Sequence, residues 1–523
     1  MNTRKLIFLI TILSVFAMAA RFSVDSDTWW HLRAGQWIWE KKSIPRVDHF
    51  SYTQRGEAWH YPGWIWEVIM LGIYSQFGAG GLNLMTAFIV ALTFLFTWFT
   101  IRGNNFIKAF VVILAAAASG VYWAARPYLV TFLFTAVYLF ILERERSNWQ
   151  EPYAKQAGGV THYDWLLPLL MIFWANSHGG FAVGFIIFGI YYLGLTFHVG
   201  VKNIWEFQRG KLGNFMNRVR GQDSEKRNSS RERKIQTKTS ANVTQWHRYL
   251  LIGLGLIIAV CLNPYGPKML VYPFRTVGIS ALQMYIEEWQ SPDFHQARIM
   301  PFLILFLLTF GSVGASEKKI SIGDFLLVSL FGTLALTAGR NIALFALAAP
   351  IVLMRHAVDI SGHFRKGADW VGNKDQNKKM KVINGLILTI VALAVVYKSY
   401  LVYPEKNNQE YIAELFPVEA VEHIKKSEYQ GHLFNSYNWG GYLIWSLREY
   451  PVFVDGRTDL YGDEIVDQWV TVVQGEKGWE QILQRWDVNL ILIEPYRPIV
   501  MELNEKDWER VYQDTKSIIF KRK

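Results

Sequence analysis

Apolar runs of about 15 to 20 residues follow one another along most of this chain, and that repetition constrains its fold class more than any motif does. A helix needs about 20 residues to cross about 30 Å of hydrocarbon, so these runs read as membrane spans with polar ends. They lie at 6–20, 82–101, 106–122, 127–142, 164–175, 181–198, 249–263, 299–314, 322–338, 341–356 and 382–402, eleven in all. Composition agrees, with 51% hydrophobic and only 19% charged residues among 523. A formal charge of +11 could suggest nucleic acid, but Lys and Arg gather in loops beside the runs, the asymmetry that orients membrane proteins. The bilayer is therefore the expected partner and nucleic acid is not. Cys261, the single cysteine, lies in an apolar run and excludes an intrachain disulfide.

Two loops are strongly basic, 199–248 with twelve Lys and Arg and 355–381 with seven, and both are expected in the cytoplasm. The sequons at Asn228 and Asn242 are then chance matches. The first run follows Arg4 and Lys5 and ends in AMAA, so a cleaved signal peptide competes with a retained span. Either way the N-terminus is cytoplasmic and residue 21 onward emerges outside. Counting spans back from 199–248 places residues 78–81 outside too. The apolar run 64–77, WIWEVIMLGIYSQF, therefore cannot cross, and it is expected along the membrane surface with Glu67 and Tyr74 on a polar stripe. A second surface helix is expected at 29–41, where Trp30, Ala34, Trp37 and Ile38 oppose Arg33, Gln36 and Glu40. The first outer loop, 21–81, thus holds two interfacial helices. Counting forward puts 403–523 outside, where the β-rich runs HLFNSY, PVFVDG, LILIEP and SIIFKR alternate with helix-like segments at 417–427 and 478–485. The expected architecture is an all-α polytopic bundle in the plasma membrane, residues 1–402, carrying a small extracytoplasmic α/β domain, 403–523.

On that topology the unusual polar residues gather outside: Asp25, Asp27, His31, Asp48, His60 and Glu67, then Arg126, Asn176, His178, Asn263, Glu287, Glu288, Asp293, Arg340 and Asn341. Ionisable groups near hydrocarbon are costly and are kept for function or pairing. Asp25 and Asp27, just past a membrane exit, suit a general base for an acceptor hydroxyl or a divalent-cation site; a helix cap near Trp29 is the plainer alternative. Arg126 and Arg340 either snorkel or, with His178, hold a phosphate. His31, Asp48, His60, Glu67, Asn176, Glu287 and Glu288 are candidates for acceptor or loop contacts. Asn263-Pro-Tyr-Gly terminates a helix. In the tail, Asp455, Arg457 and Asp459 follow a predicted strand; turn chemistry accounts for Asp-Gly, and the aromatic, Asn-rich surroundings suit carbohydrate.

Taken together, the first loop resembles the C-type glycosyltransferase superfamily, particularly its protein-mannosyltransferase and aminoarabinose-transferase branch. That pattern is a first span, acidic residues directly after it, a surface helix, a His-Pro stretch and a second surface helix ending near Phe-Gly. Here the pieces are Asp25 and Asp27, WWHLRAGQWIWEKK, His60 with Pro62, and Phe77-Gly78. The chain departs from the pattern with Asp-Ser-Asp for an adjacent Asp-Glu and His60-Tyr61-Pro62 for His-Pro-Pro, which leaves open which aspartate is the base. The whole chain also resembles a group of bacterial membrane proteins with a D-x-WWHLRAG start, a WANxHG turn, an NPYG turn and a WGGYLIW…DGRxDLYG tail. The resemblance implies transfer of a sugar from a polyprenyl-phosphate donor to an envelope acceptor (glycan, lipid or protein) outside the membrane. Inversion is then expected, with Arg126, Arg340 and His178 meeting the donor phosphate. A transporter or flippase of lipid-linked substrates and a non-catalytic subunit of an envelope assembly system are the alternatives. Transporters place ionisable groups at mid-depth in broken helices, a pattern not evident here.

Overall fold

The computed structural model describes residues 1–150, 162–197, 246–364, 378–503 and 507–523; both sequons and most of the basic loop 199–248 lie outside them. The helices of the first part are α1 (Thr3–Ala19), α2 (Thr28–Lys41), α3 (Trp64–Thr100), α4 (Asn105–Ser119), α5 (Tyr128–Gln150) and α6 (Leu166–Ala175). They continue with α7 (Gly179–Phe197) and α8 (Trp246–Cys261), then α9 (Tyr272–Val277), α10 (Ser280–Tyr285), α11 (Met300–Ala315), α12 (Ile322–Thr337), α13 (Ile342–Phe364) and α14 (Lys378–Val402). Each of the eleven apolar runs is therefore helical, and among the described residues six helices are long and apolar enough to cross a membrane. Local chemistry starts several of them: Asn2, Asn104 and Ser321 accept hydrogen bonds from the backbone N–H of Lys5, Phe106 and Asp324.

The run 64–77 and the span after it are merged in α3, but Gly78 breaks the helix with φ +61° and ψ −161°. A side chain is strained at that backbone geometry, so glycine permits the chain to turn where the first loop ends. The expected polar stripe is not there. Glu67 is 2% exposed and faces His31 of α2 at 3.3 Å. The reason is mutual packing: α2 lies against the first half of α3 and turns that face inward.

Near the C-terminal end of α5 an ion-pair network ties four helices together. Arg146 donates to both carboxylate oxygens of Asp324 at 2.7 and 3.1 Å, Arg355 reaches Asp324 and Glu143, and the Tyr191 hydroxyl donates to Glu143 at 2.6 Å. Asp324 is 2% exposed, so this charge depends on its partners. Asp324→Ala is expected to destabilise the bundle by about 3–5 kcal/mol, seen as a lower unfolding temperature in detergent. Arg126, by contrast, precedes the start of α5. From Tyr128 to Arg146 the helix rises roughly 27 Å, about the thickness of the hydrocarbon layer.

The tail continues through α15 (Glu405–Leu415), α16 (Val418–Ser427), β1 (His432–Asn435), α17 (Gly440–Ser446), α18 (Thr458–Val473), α19 (Trp479–Arg485), β2 (Val488–Ile493), α20 (Ile499–Glu502), β3 (Trp508–Gln513) and β4 (Ile518–Arg522). The sheet order is β1-β2-β4-β3, with β1 and β2 parallel and the other pairs antiparallel. Strand β2, VNLILI, is almost wholly buried, as a central strand covered on both faces must be. PVFVDG, expected as a strand, forms only single bridges at Val452, to Leu433 and to Ser51 of the first loop. The fourth strand is instead Trp508–Gln513. The Ser51 bridge is part of a seam: the Thr53 hydroxyl donates to the Phe453 carbonyl at 2.6 Å, and Tyr52 stacks on His432 at 4.3 Å. The tail and the first loop are thus one packed unit.

Candidate active site

The exit of α1 and the entry to α5 are zipped together. Arg21 donates to the carbonyls of Gly120 and Trp123 at 2.5 and 3.1 Å, and Ala125 N–H donates to the Ser23 carbonyl at 2.8 Å. Ser23 is held in turn by Asn83 of α3, whose amide also donates to the Val402 carbonyl and to Asn408 at 2.8 Å each. Asn83 is 0% exposed, and sequence reasoning passed over it. The signal was there, an amide inside an apolar run, where an unpaired polar group is costly. This zipper sets Asp25 and Asp27 beside Arg126.

The two aspartates have different surroundings. Asp25 Oδ1 accepts from Thr28 N, Thr28 Oγ1 and Asp27 N at 3.0–3.1 Å, so this carboxylate caps the first turn of α2. Its Oδ2 accepts from Arg126 Nε. Asp27 makes no capping bond; its Oδ2 lies 2.8 Å from Arg126 Nη1 and its Oδ1 accepts from Trp30 Nε1 at 3.2 Å. Burial pushes the Asp27 carboxyl up to about 7; Arg126 opposes the rise while Asp25 and Glu288 add to it.

Glu288 closes the group, 3.6 Å from Arg126 and 3.4 Å from Arg340. Burial raises its carboxyl, and Arg340 with Arg126 more than offset that, leaving it lowered. Arg126 thus faces three carboxylates and has little left for a phosphate. Arg340 has one long ion pair, lies 4.3 Å over the Trp289 ring, and is anchored by its own carbonyl, which accepts from the Tyr128 hydroxyl at 2.9 Å. Most of its five N–H donors remain for a ligand. His178 faces Tyr128 edge-on at 6.0 Å. Its Nδ1 accepts from Gly180 N–H at 3.1 Å and pairs with the Thr131 hydroxyl at 2.7 Å, which in turn accepts from Trp174 Nε1 at 2.8 Å. That chain fixes the Nε2–H tautomer. Burial, and then Arg340, hold the ring down at about 3, so His178 is a neutral donor.

The remaining sequence candidates fall elsewhere. His31 and Glu67 form a buried pair between α2 and α3; burial pushes the Glu67 carboxyl well up and the His31 ring well down. Asp48, Asp455 and Arg457 are all 0–1% exposed and bind one another, so Arg457 and its carboxylates are closed to carbohydrate. Asp459 accepts from the Tyr272 hydroxyl at 3.1 Å. Asn176 accepts from Trp64 Nε1 at 2.9 Å and Asn263 donates to the Ala175 carbonyl at 2.7 Å, both turn-fixing roles. Glu287 is exposed and pairs with Arg298. His60 lies beside Tyr265, its ring lowered by burial and by Lys268, Arg275 and Arg46.

The positive charge beside Asp25, Asp27 and Glu288 comes from Arg126, and a divalent cation held by the two aspartates would share these carboxylates with it. Among the described residues, the metal-type ligands that converge within 4.8 Å are Glu145, His162 and Asp164. Arg248 contacts Asp164 and lies 3.8 Å from Glu145, supplying their counter-charge.

A scan against protein-family models finds no match, and a search of curated proteins finds none either. Solved structures do match in shape. The archaeal oligosaccharyltransferase AglB from Archaeoglobus fulgidus, in complex with an inhibitory peptide and a dolichol-phosphate, aligns with a TM-score of 0.52 and 11% identity over 94% of this chain and 70% of that one. The apo form of the Archaeoglobus fulgidus oligosaccharyltransferase gives 0.53 and 12%, over 99% and 74%. The form tethered to an acceptor peptide containing the NVT sequon gives 0.52 and 12% over the same shares. What is shared at these identities is the fold.

Proposed function

We propose that this chain is a membrane glycosyltransferase that moves a sugar from a polyprenyl-phosphate-linked donor to an acceptor outside the cytoplasm, with inversion. The observation that carries this reading is the convergence on Glu288 of the Asp27–Arg126 pair and of Arg340, a guanidinium with open donors. A base and an anion clamp at one end of a membrane bundle are what sugar transfer from a lipid phosphate requires. The first-loop resemblance to C-type glycosyltransferases and the fold shared with a protein solved around a dolichol-phosphate support it.

Asp27 is the base, because Asp25 is committed to capping while Asp27 is held near neutrality. Its Oδ takes the proton of the acceptor hydroxyl as that oxygen attacks the anomeric carbon. The bond from that carbon to the phosphate oxygen breaks, and the electron pair leaves with the polyprenyl phosphate. Arg340 and His178 Nε2–H receive the developing charge, and Arg126 holds Asp25, Asp27 and Glu288 in place. The N-terminus is cytoplasmic and the tail domain extracytoplasmic in this reading, with 64–77 lying along the outer surface.

Lipid that copurifies with the full-length protein tests the donor class. Mass spectrometry is expected to find polyprenyl-phosphate-linked sugar, depleted in Arg340→Ala. Recovery of bulk phospholipid alone, equal in both proteins, overturns the reading.

A further inference from the structure

We propose that Gly456 and Arg457 of the tail are positioning residues for Asp27, which makes the C-terminal domain part of the reaction machinery rather than an appended docking module. The inference rests on Asp27 being the base. A Cβ built on Gly456 would lie 1.8 Å from Asp27 Oδ1, and one on Gly441 would lie 2.2 Å from the Ser26 carbonyl. The turn at Gly456 and the first turn of α17 at Gly441 therefore press on consecutive residues of the catalytic turn, at a distance only glycine allows. Trp30 Nε1 donates to the same oxygen and Arg126 pairs with the other, so the tail turn adds a third contact to Asp27.

The position of Gly456 is fixed by its neighbours. Arg457 donates to Asp455 through Nε at 2.9 Å and Nη2 at 2.7 Å, and to Asp48 of the first loop through Nη1 at 2.6 Å. The Tyr461 hydroxyl donates to Asp455 at 2.5 Å, and the guanidinium sits 4.9 Å from the Trp59 ring and 5.2 Å from that of Phe50. Asp48 and Asp27 belong to the same loop, so this buried triple sets the tail turn against the catalytic turn in register. The following residues tie the opposite wall: Asp459 accepts from Tyr272, and Ala281 N–H donates to Asp463 at 2.7 Å, on the loop that carries Glu288. Bidentate guanidinium geometry is rigid, and lysine cannot reproduce it.

The charged and titratable groups that act on or face Asp27 are Asp25, Arg126, Glu288, Tyr61 and Tyr437. A methyl group at 456 leaves their number unchanged and displaces the carboxylate from the pocket that buries it. Displacement by about 1 Å is enough to cost up to about a hundredfold in rate. Re-exposure to water also lowers the carboxyl, moving the acid limb of activity to lower pH.

The test is glycan product from membranes containing the full-length protein and their own lipid-linked donors. Gly456→Ala is expected to lower the rate at least tenfold and shift the acid limb downward, with unfolding temperature little changed; Arg457→Lys is expected to shift the limb in the same sense. Wild-type rate and pH profile in Gly456→Ala, alongside an inactive Asp27→Asn, overturn this inference alone. Full activity in Asp27→Asn overturns the base assignment beneath it. Activity that falls only in proportion to folded protein, with the limb unmoved in both tail variants, also overturns the positioning role.

Discussion

Asp27→Asn is expected to reduce glycan product by about 10²- to 10⁴-fold, the range typical of removing a positioned general base. The amide keeps the shape and can still meet Trp30, so the protein should fold and retain its lipid. Asp25→Asn is expected to behave differently, because the Asp25 carboxylate caps α2 and holds Arg126. Its effect should be a loss of stability by about 1 kcal/mol with a smaller loss of rate. Equal and complete activity in both variants would reject the division of roles. The wild-type protein is expected to show a pH signature of the same chemistry. The base must be ionised to act, and the carboxyl is pushed up to about 7, chiefly by burial. Activity is therefore expected to fall about tenfold per pH unit below that value and to level off above it.

Arg126→Gln is expected to be the most damaging change at the other wall of the site. It leaves Asp25, Asp27 and Glu288 facing one another with only Arg340 in reach of Glu288. These carboxylates are 17–25% exposed, so the cost should fall short of that for a fully buried pair, at roughly 2–3 kcal/mol. The rate should drop with it. Because Arg126 holds the Asp27 carboxyl down, its removal raises that group further, and the acid limb should move to higher pH. Arg126→Lys restores the charge without the fork that bridges Asp25 and Asp27, and should recover stability better than rate. A limb that stays near 7 in Arg126→Gln would show that the pairing does not govern Asp27.

The two variants separate chemistry from architecture. Asp27→Asn removes a proton acceptor from an intact site. Arg126→Gln removes the ion pairs that gather Asp25, Asp27 and Glu288 at the junction of α1 and α5, where the backbone bond from Ala125 to Ser23 remains. Arg126, expected at a donor phosphate, is paired with Asp25, Asp27 and Glu288, whereas Arg340 has Glu288 alone; the proposed mechanism therefore gives the phosphate to Arg340.

Much of this protein was legible in its sequence because hydrocarbon length and helical periodicity are local. The eleven apolar runs appear as helices among the described residues, and Gly78 interrupts α3 where the run 64–77 ends. The acidic turn after the first span, Arg126, Arg340 and His178 were all visible as polar residues where polarity is expensive. What the sequence could not decide is which of them face one another. Asp25 and Asp27 look alike two residues apart, and only Thr28, Trp30 and Arg126 make one a cap and the other a candidate base. Glu287 and Glu288 are adjacent, yet one meets solvent and Arg298 while the other joins Arg126 and Arg340. DGRTDLYG read as a turn suited to carbohydrate, and folding buries its arginine against Asp48, some 400 residues earlier in the chain. Burial, pairing and close approach depend on segments far apart in sequence, so the apolar helices follow from composition alone while the chemistry belongs to the tertiary fold.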